Sequence, residues 1–190
     1  MDIIQTTPPA YAPVPLDQVK LHCRVADDSE DALLAAYLAA AAGTCQHLIG
    51  RSIMAQGWCL ALDAWPVAVR LPNPVIQAVT SITYRDAEGG QQTLDPALYG
   101  LSGDLLARDP GADMPALWAG PGVVQVNYTA GYAAGDEATQ QAAVPANIRS
   151  WLLLTVGTMY THRESVQAGV AVAELPGRFV DGLLDAHRVY

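Results

Sequence analysis

Residues 13–51 read PVPLDQVKLHCRVADDSEDALLAAYLAAAAGTCQHLIGR, and the spacing of their apolar side chains decides how the rest of the chain is read. From Leu33 these fall at 33, 34, 37, 38, 41, 45, 48 and 49. That is one stripe of a 3.6-period helix, so the spacing predicts a helix over about 28–50 with one core-building face. The opposite face carries Ala35, Ala36, Ala39, Ala40 and Ala42 where a lone surface helix shows Lys, Glu or Gln. Alanine lets a second backbone come close, so this helix is expected to have neighbours on two sides. Ala35, Ala36, Ala39 and Ala40 are the expected contact between subunits. Asp27, Asp28, Ser29, Glu30 and Asp31 stand at the helix start, where side-chain oxygens accept orphan N–H groups and negative charge opposes the dipole. Such a cap is worth about 1 kcal/mol. The acids lack the alternate-position spacing and turn glycine of a calcium loop.

The 190 residues suit one domain, or one domain with an insertion, able to bury about 70% of the unfolded surface. Hydrophobic residues make up 51% and charged ones only 15%. That is little solvating charge for a monomer, and part of the apolar surface is expected to be covered by partners. The longest unbroken apolar run, Ala32 to Ala42, is too short to span a bilayer, and no membrane association is expected. The opening MDIIQTTPPAYAPVP has an acid at position 2 and prolines where a signal peptide needs a basic end and an apolar core. It reads as an extended arm on a protein made in, and kept in, the cytosol. Cys23, Cys45 and Cys59 are odd in number and widely spaced, so they read as small buried thiols.

Net charge is −9, the wrong sign for a protein that grips nucleic acid through phosphates. Split by segment it is −3 over 1–51, −6 over 52–144 and zero over 145–190. The acidity is concentrated in the middle, and the neutral C-terminal part suits docking to protein.

The pattern changes near Arg51. IMAQGWCLAL (53–62), VAVRL (67–71) and VIQAVTSITY (75–84) are short, apolar and bounded by Pro66, Pro72 and Pro74, as strands are. The turn Asp86–Gly90 predicts a hairpin into 91–94, and Ser102-Gly103-Asp104 a second between 99–101 and 105–107. With VVQVNYT (123–129) these make an antiparallel unit of five or six strands. Residues 130–143 have no large apolar residue after Tyr132 and read as an exposed loop. Pro145 opens a second long helix, 146 to about 163. In the terminal segment Phe179, Leu183, Leu184 and His187 share a helical face. The expected fold class is α+β: a small helical bundle with an inserted antiparallel β unit, to which the resemblance described below adds a ring-forming subunit. Its parts are an extended arm at 1–15, N-terminal helices at 16–51, the β insertion at 52–130, an exposed loop at 131–144, and C-terminal helices with a docking tail at 145–190.

Motifs that carry chemistry are absent. There is no GxSxG elbow, P-loop, HExxH or CxxC. Ser102 lies between short strands where a turn is required. His22, Cys23, Cys45 and His47 offer two soft ligand pairs, but adjacent helical residues point about 100° apart, so His22 and Cys23 cannot both reach one metal. His162 and His187 lie near helix C-termini, where the dipole accounts for them. Trp58, Trp65, Tyr84 and Trp118 are not interleaved with a basic patch. Asp86 and Glu88 belong to an open turn where raised pKa values are not expected. No catalytic residue, cofactor or metal is assigned.

The frame Pro15, Leu16, Lys20, His22, Arg24, Val25, Asp27, Asp28, Leu33, Leu34, Ala41, Gly50 and Arg51 resembles the start of the phage head-tail connector (head completion adaptor) family. The stretches 70–90, 124–132, 144–165 and 175–189 are similar, in order, to its longer, sheet-containing branch. Cys23 stands where leucine is common. The resemblance implies a structural protein, not an enzyme, forming a ring of usually twelve copies beneath the portal protein, in the neck of a virion assembled in a bacterial cytoplasm. It implies that the ring extends the channel, that DNA passes without specific binding, and that the next neck or tail component attaches to it. It also implies portal docking by the C-terminal residues Leu183, Leu184, His187, Arg188, Val189 and Tyr190. A tail-terminator or stopper-type neck protein, and a small ligand-binding module, remain the alternatives.

Overall fold

A computed structural model describes residues 1–163 and 177–189. Residues 164–176 and Tyr190 lie outside the described residues, as do the side chains of Arg178 and Phe179. The chain divides into two compact units, one of residues 1–10 and 54–134, the other of residues 11–53 and those from 135 on. Helices and antiparallel sheets make the fold mixed α+β.

The first unit is all β. Strands β1 (Asp2–Thr7), β2 (Gln56–Leu62), β8 (Val124–Ala130), β4 (Ile76–Arg85) and β5 (Gln91–Thr93) form a five-stranded sheet in that order, every neighbour antiparallel. Strands β3 (Ala68–Arg70), β7 (Leu105–Arg108) and β6 (Tyr99–Ser102) form a second sheet. Both expected hairpins are present, β4–β5 and β6–β7. Strands number seven over 56–130 and fall into two sheets, against an expected single set of five or six. The N-terminal arm is no free arm, since residues 2–7 are an edge strand on β2. Along β8 burial alternates with period two: Val124, Val126, Tyr128 and Ala130 are buried while Gln125 is exposed. Those inward residues meet Leu60, Ile82 and Leu106 in one core that draws on both sheets. Each buried valine, leucine or isoleucine among them contributes about 1.5–3 kcal/mol.

The second unit is helical: α1 (Leu16–Cys23), α2 (Asp31–Ile49), α3 (Glu137–Ala143), α4 (Ala146–Thr161) and α5 (Gly177–Gly182), followed by a single 3₁₀ turn at Asp185–His187. α2 packs against α1 and α4, and α1 against α4. The stripe read from the sequence is the packed one, with Leu34, Leu38, Ala41, Cys45 and Ile49 buried. Leu48 departs from it and is 40% exposed. By length and composition alone α2 is long and apolar enough to cross a bilayer, which the count of the run 32–42 did not show. Among the described residues only its buried stripe is covered, where α2 packs on α1 and α4. The loop expected over 131–144 is corrected by α3. Asp136 caps that helix, its carboxylate accepting from Thr139 N at 2.8 Å, and Gln140 is buried, donating to Gly135 O.

Candidate assembly surface

The surface is built on the start of α2. The expected side-chain cap does not form: the N-cap residue is Glu30, and its side chain makes no cap bond. The acids are engaged elsewhere. Asp27 accepts from the backbone N and Oγ of Ser29, which holds its carboxyl below the usual range. Lys20 of α1 pairs with Asp28 and, at 2.8 Å, with Asp31, and these carboxylates hold its ammonium above the ordinary lysine value. Glu30 accepts from the Tyr160 hydroxyl and, at 2.6 Å, from Arg163 Nη2, and both bonds lower its pKa. The guanidinium of Arg163 also lies 4.6 Å from the Tyr160 ring centre. The acidic run therefore ties α1 and the end of α4 to the start of α2. Sequence reading missed this role, because it depends on where Lys20, Tyr160 and Arg163 arrive in space.

Ala35, Ala36, Ala39 and Ala40 all stand exposed on α2. Gly43, Thr44 and His47 continue the exposed strip. At Gly43 nothing lies within 4 Å of where a Cβ would be. Among the described residues the four alanines thus share one exposed face of small residues, opposite the buried stripe.

The C-terminal residues are placed differently from the expected docking tail. Leu184 is wholly buried. The Val189 N–H donates to Ile49 O at 2.9 Å, and Arg51 Nε donates to His187 O at 2.6 Å. Gly50, at φ 64°, ends α2 in the left-handed region that glycine adopts without strain, and a Cβ there would touch Val189 at 3.6 Å. The segment is a strap across the end of α2, and Leu184 belongs to the core of its own chain. Leu183, His187 and Arg188 are half-buried and Val189 is 44% exposed. His187 has its pKa lowered by burial first and by Arg51 second.

The residues weighed for chemistry are scattered. Ser102 is exposed at the end of β6. Asp86 accepts from Gln92 Nε2 and Gly90 N, which hold its carboxyl below the usual range, opposite to what a general acid needs. Cys45 is buried, with its thiol pushed up to about 12, while His22 and His47 are exposed. Among the described residues no three His, Cys, Asp or Glu side chains group as a metal site. Trp65 packs edge-on to Tyr84 with ring centres 5.2 Å apart, and Trp118 lies 5.4 Å beneath the Arg85 guanidinium.

The helical unit is thus braced at the start of α2 and carries an exposed face of small residues. Over residues 14–93, less than half of its length, the chain matches the model of the phage gp6-like head-tail connector proteins. Solved structures carry the same fold. A chain from the neck of an empty gene transfer agent particle, computed with C6 symmetry, superposes with a TM-score of 0.79 at 24% identity, covering 100% of this chain and 96% of that one. A chain from the virion of the native gene transfer agent particle gives the same values. One from the native neck computed with C12 symmetry gives 0.76 at 23% identity and the same coverage. None of the curated proteins matches at a significant level.

Proposed function

We propose that this protein is the connector of a tailed phage or phage-like particle, forming a ring in the virion neck beneath the portal. There it extends the DNA channel and offers a platform to the next neck or tail component. The family match over 14–93 carries this reading. The full-length likeness to chains from particle necks supports it. The role is mechanical, and the net charge of −9 repels DNA sliding past it rather than retaining it. The exposed face of Ala35, Ala36, Ala39 and Ala40 is the contact between copies. With Leu184 committed to its own core, the portal meets the exposed side of the strap at Leu183, Arg188 and Val189.

Ala39→Glu tests the reading. Glutamate is a good helix former and Ala39 lies off the buried stripe, so the protomer keeps its fold. A charge on a buried interface without a partner is costly, so ring incorporation is lost. Measured on particles made without the wild-type protein, normal occupancy by Ala39→Glu would remove α2 from the interface. A wild-type protein absent from DNA-filled, tailless heads would overturn the connector role.

A further inference from the structure

The five-stranded sheet ends in two strands with no strand beside them among the described residues, β1 and β5. Two hydrogen bonds fix which of their backbone groups face outward. Arg85 N donates to Val123 O at 2.9 Å, and Leu94 N donates to Ile82 O at 2.8 Å. Bonded and non-bonded pairs alternate along an antiparallel ladder. Residues 81, 83 and 85 of β4 therefore bond to β8, and residues 82 and 84 bond toward β5. On β5 that leaves the N–H and C=O of Gln91 and Thr93 pointing away from the sheet. Carried through the registers of β8 on β2 and β2 on β1, the same alternation bonds Asp2 and Ile4 to β2. Ile3 and Gln5 then present their backbone groups outward.

Each edge is blunted by geometry alone, β5 by its three-residue length and β1 by its bulge. Free edges are normally protected by lysine, proline or inward charge, yet residues 3–7 are IIQTT and residues 91–93 are QQT. All three β5 residues are exposed, as is every β1 residue except Ile3. The bulge between Gln5 and Thr7 limits the open ladder on β1 to residues 2–5. Four antiparallel steps separate β1 from β5, so the two edges run in the same direction. Copies related by the small rotation of a many-membered ring keep that direction. A head-to-tail contact of this kind closes into a ring without leaving an end.

We infer that in the assembled ring β1 of one copy lies beside β5 of the next, in parallel, so that the sheet continues from copy to copy. The inference rests on the ring reading above, and its occupant is a second copy of this chain. Each joint is short, and its strength comes from repetition around the ring.

The test removes the outward N–H alone. Proline is tolerated on an edge strand where its N–H would face solvent, so Gln5→Pro and Thr93→Pro leave pairing within the sheet in place. Gln5→Ala and Thr93→Ala are the controls; the first loses the side-chain bond to Gln56 and keeps the N–H. Full-length variants are supplied to particles lacking the wild-type protein, and copies per neck are counted. The alanine variants are expected at wild-type occupancy and the proline variants at least tenfold below it. Wild-type occupancy by both proline variants would overturn the inference. Hydrogen exchange on the wild-type protein is the second measurement and does not depend on how the variants fold. The amides of Ile3, Gln5, Gln91 and Thr93 are expected to slow at least tenfold on ring formation. Unchanged exchange in a formed ring sinks the shared edge and leaves the ring standing. A wild-type protein that forms no ring in the neck sinks both.

Discussion

The imidazole of His22 rests on Gly157: a Cβ at residue 157 would lie 3.0 Å from His22 Nε2 and 3.2 Å from Cδ2. Glycine inside a helix costs about 1 kcal/mol against alanine, and here the bare Cα lets α1 approach α4. Because His22 is exposed, its ring is free to turn aside. Gly157→Ala alone is expected to leave stability within about 0.5 kcal/mol of wild type, helix propensity offsetting the displaced ring. Combined with His22→Ala it is expected to gain about 1 kcal/mol. Urea unfolding of both single variants and the double gives the coupling directly.

Gly131 stands at φ 153°, and a Cβ there would lie 2.7 Å from the backbone of Met54 and Ala55. Backbone cannot turn aside as an imidazole can. Gly131→Ala is expected to cost about 2–4 kcal/mol, measured as a fall in the urea midpoint with an unchanged slope. A loss under about 0.5 kcal/mol would mean the two segments separate freely.

Leu184 is 0% exposed, so the strap is part of the fold. Leu184→Ala is expected to destabilise by about 2–4 kcal/mol, whereas Val189→Ala, with its side chain 44% exposed, costs about 0.5 kcal/mol or less. Thermal melts of the two variants separate a docked strap from a loose tail, on which both changes would be neutral.

Acid is expected to loosen the brace at α2. Glu30 has its carboxyl lowered from 4.5, by Tyr160 first and Arg163 second. A carboxyl lowered on folding contributes stability that is whole above its unfolded value and lost as pH falls through the folded one. Asp27, Asp86 and Asp136 are lowered in the same direction from 3.8. Tm is therefore expected to be flat above about pH 5 and to fall between pH 4.5 and 3. Glu30→Gln is expected to lower Tm at pH 7 and to make the acid fall shallower. An identical acid limb in the variant would remove Glu30 from the account.

What the sequence yielded depended on whether a residue's partner was near it in the chain. The stripe of α2 and the two hairpins follow from local periodicity and turn chemistry, and the structure has them. α3 was missed because EATQQAA offers no apolar stripe; its signals are the Asp136 cap and a buried glutamine, and only the cap is local. The acids at 27–31 read as a cap because Glu30's partners Tyr160 and Arg163 lie some 130 residues on, and Lys20, the partner of Asp28 and Asp31, sits on a separate helix. The alanine face was legible as a face without core residues. That Leu184 turns inward was not, since an apolar position reads the same whether its own chain or another covers it.

The division of the chain into units bears on how it is made. β1 leaves the ribosome early, and its partner β2 begins about fifty residues later. At about 5–20 residues per second that strand waits several seconds with both edges bare. α2 waits longer, for α4 lies beyond the whole β insertion. Neither unit can close until most of the polypeptide has been synthesised, so a chain stalled before α4 would hold a finished sheet and an unshielded apolar helix, a natural substrate for chaperones.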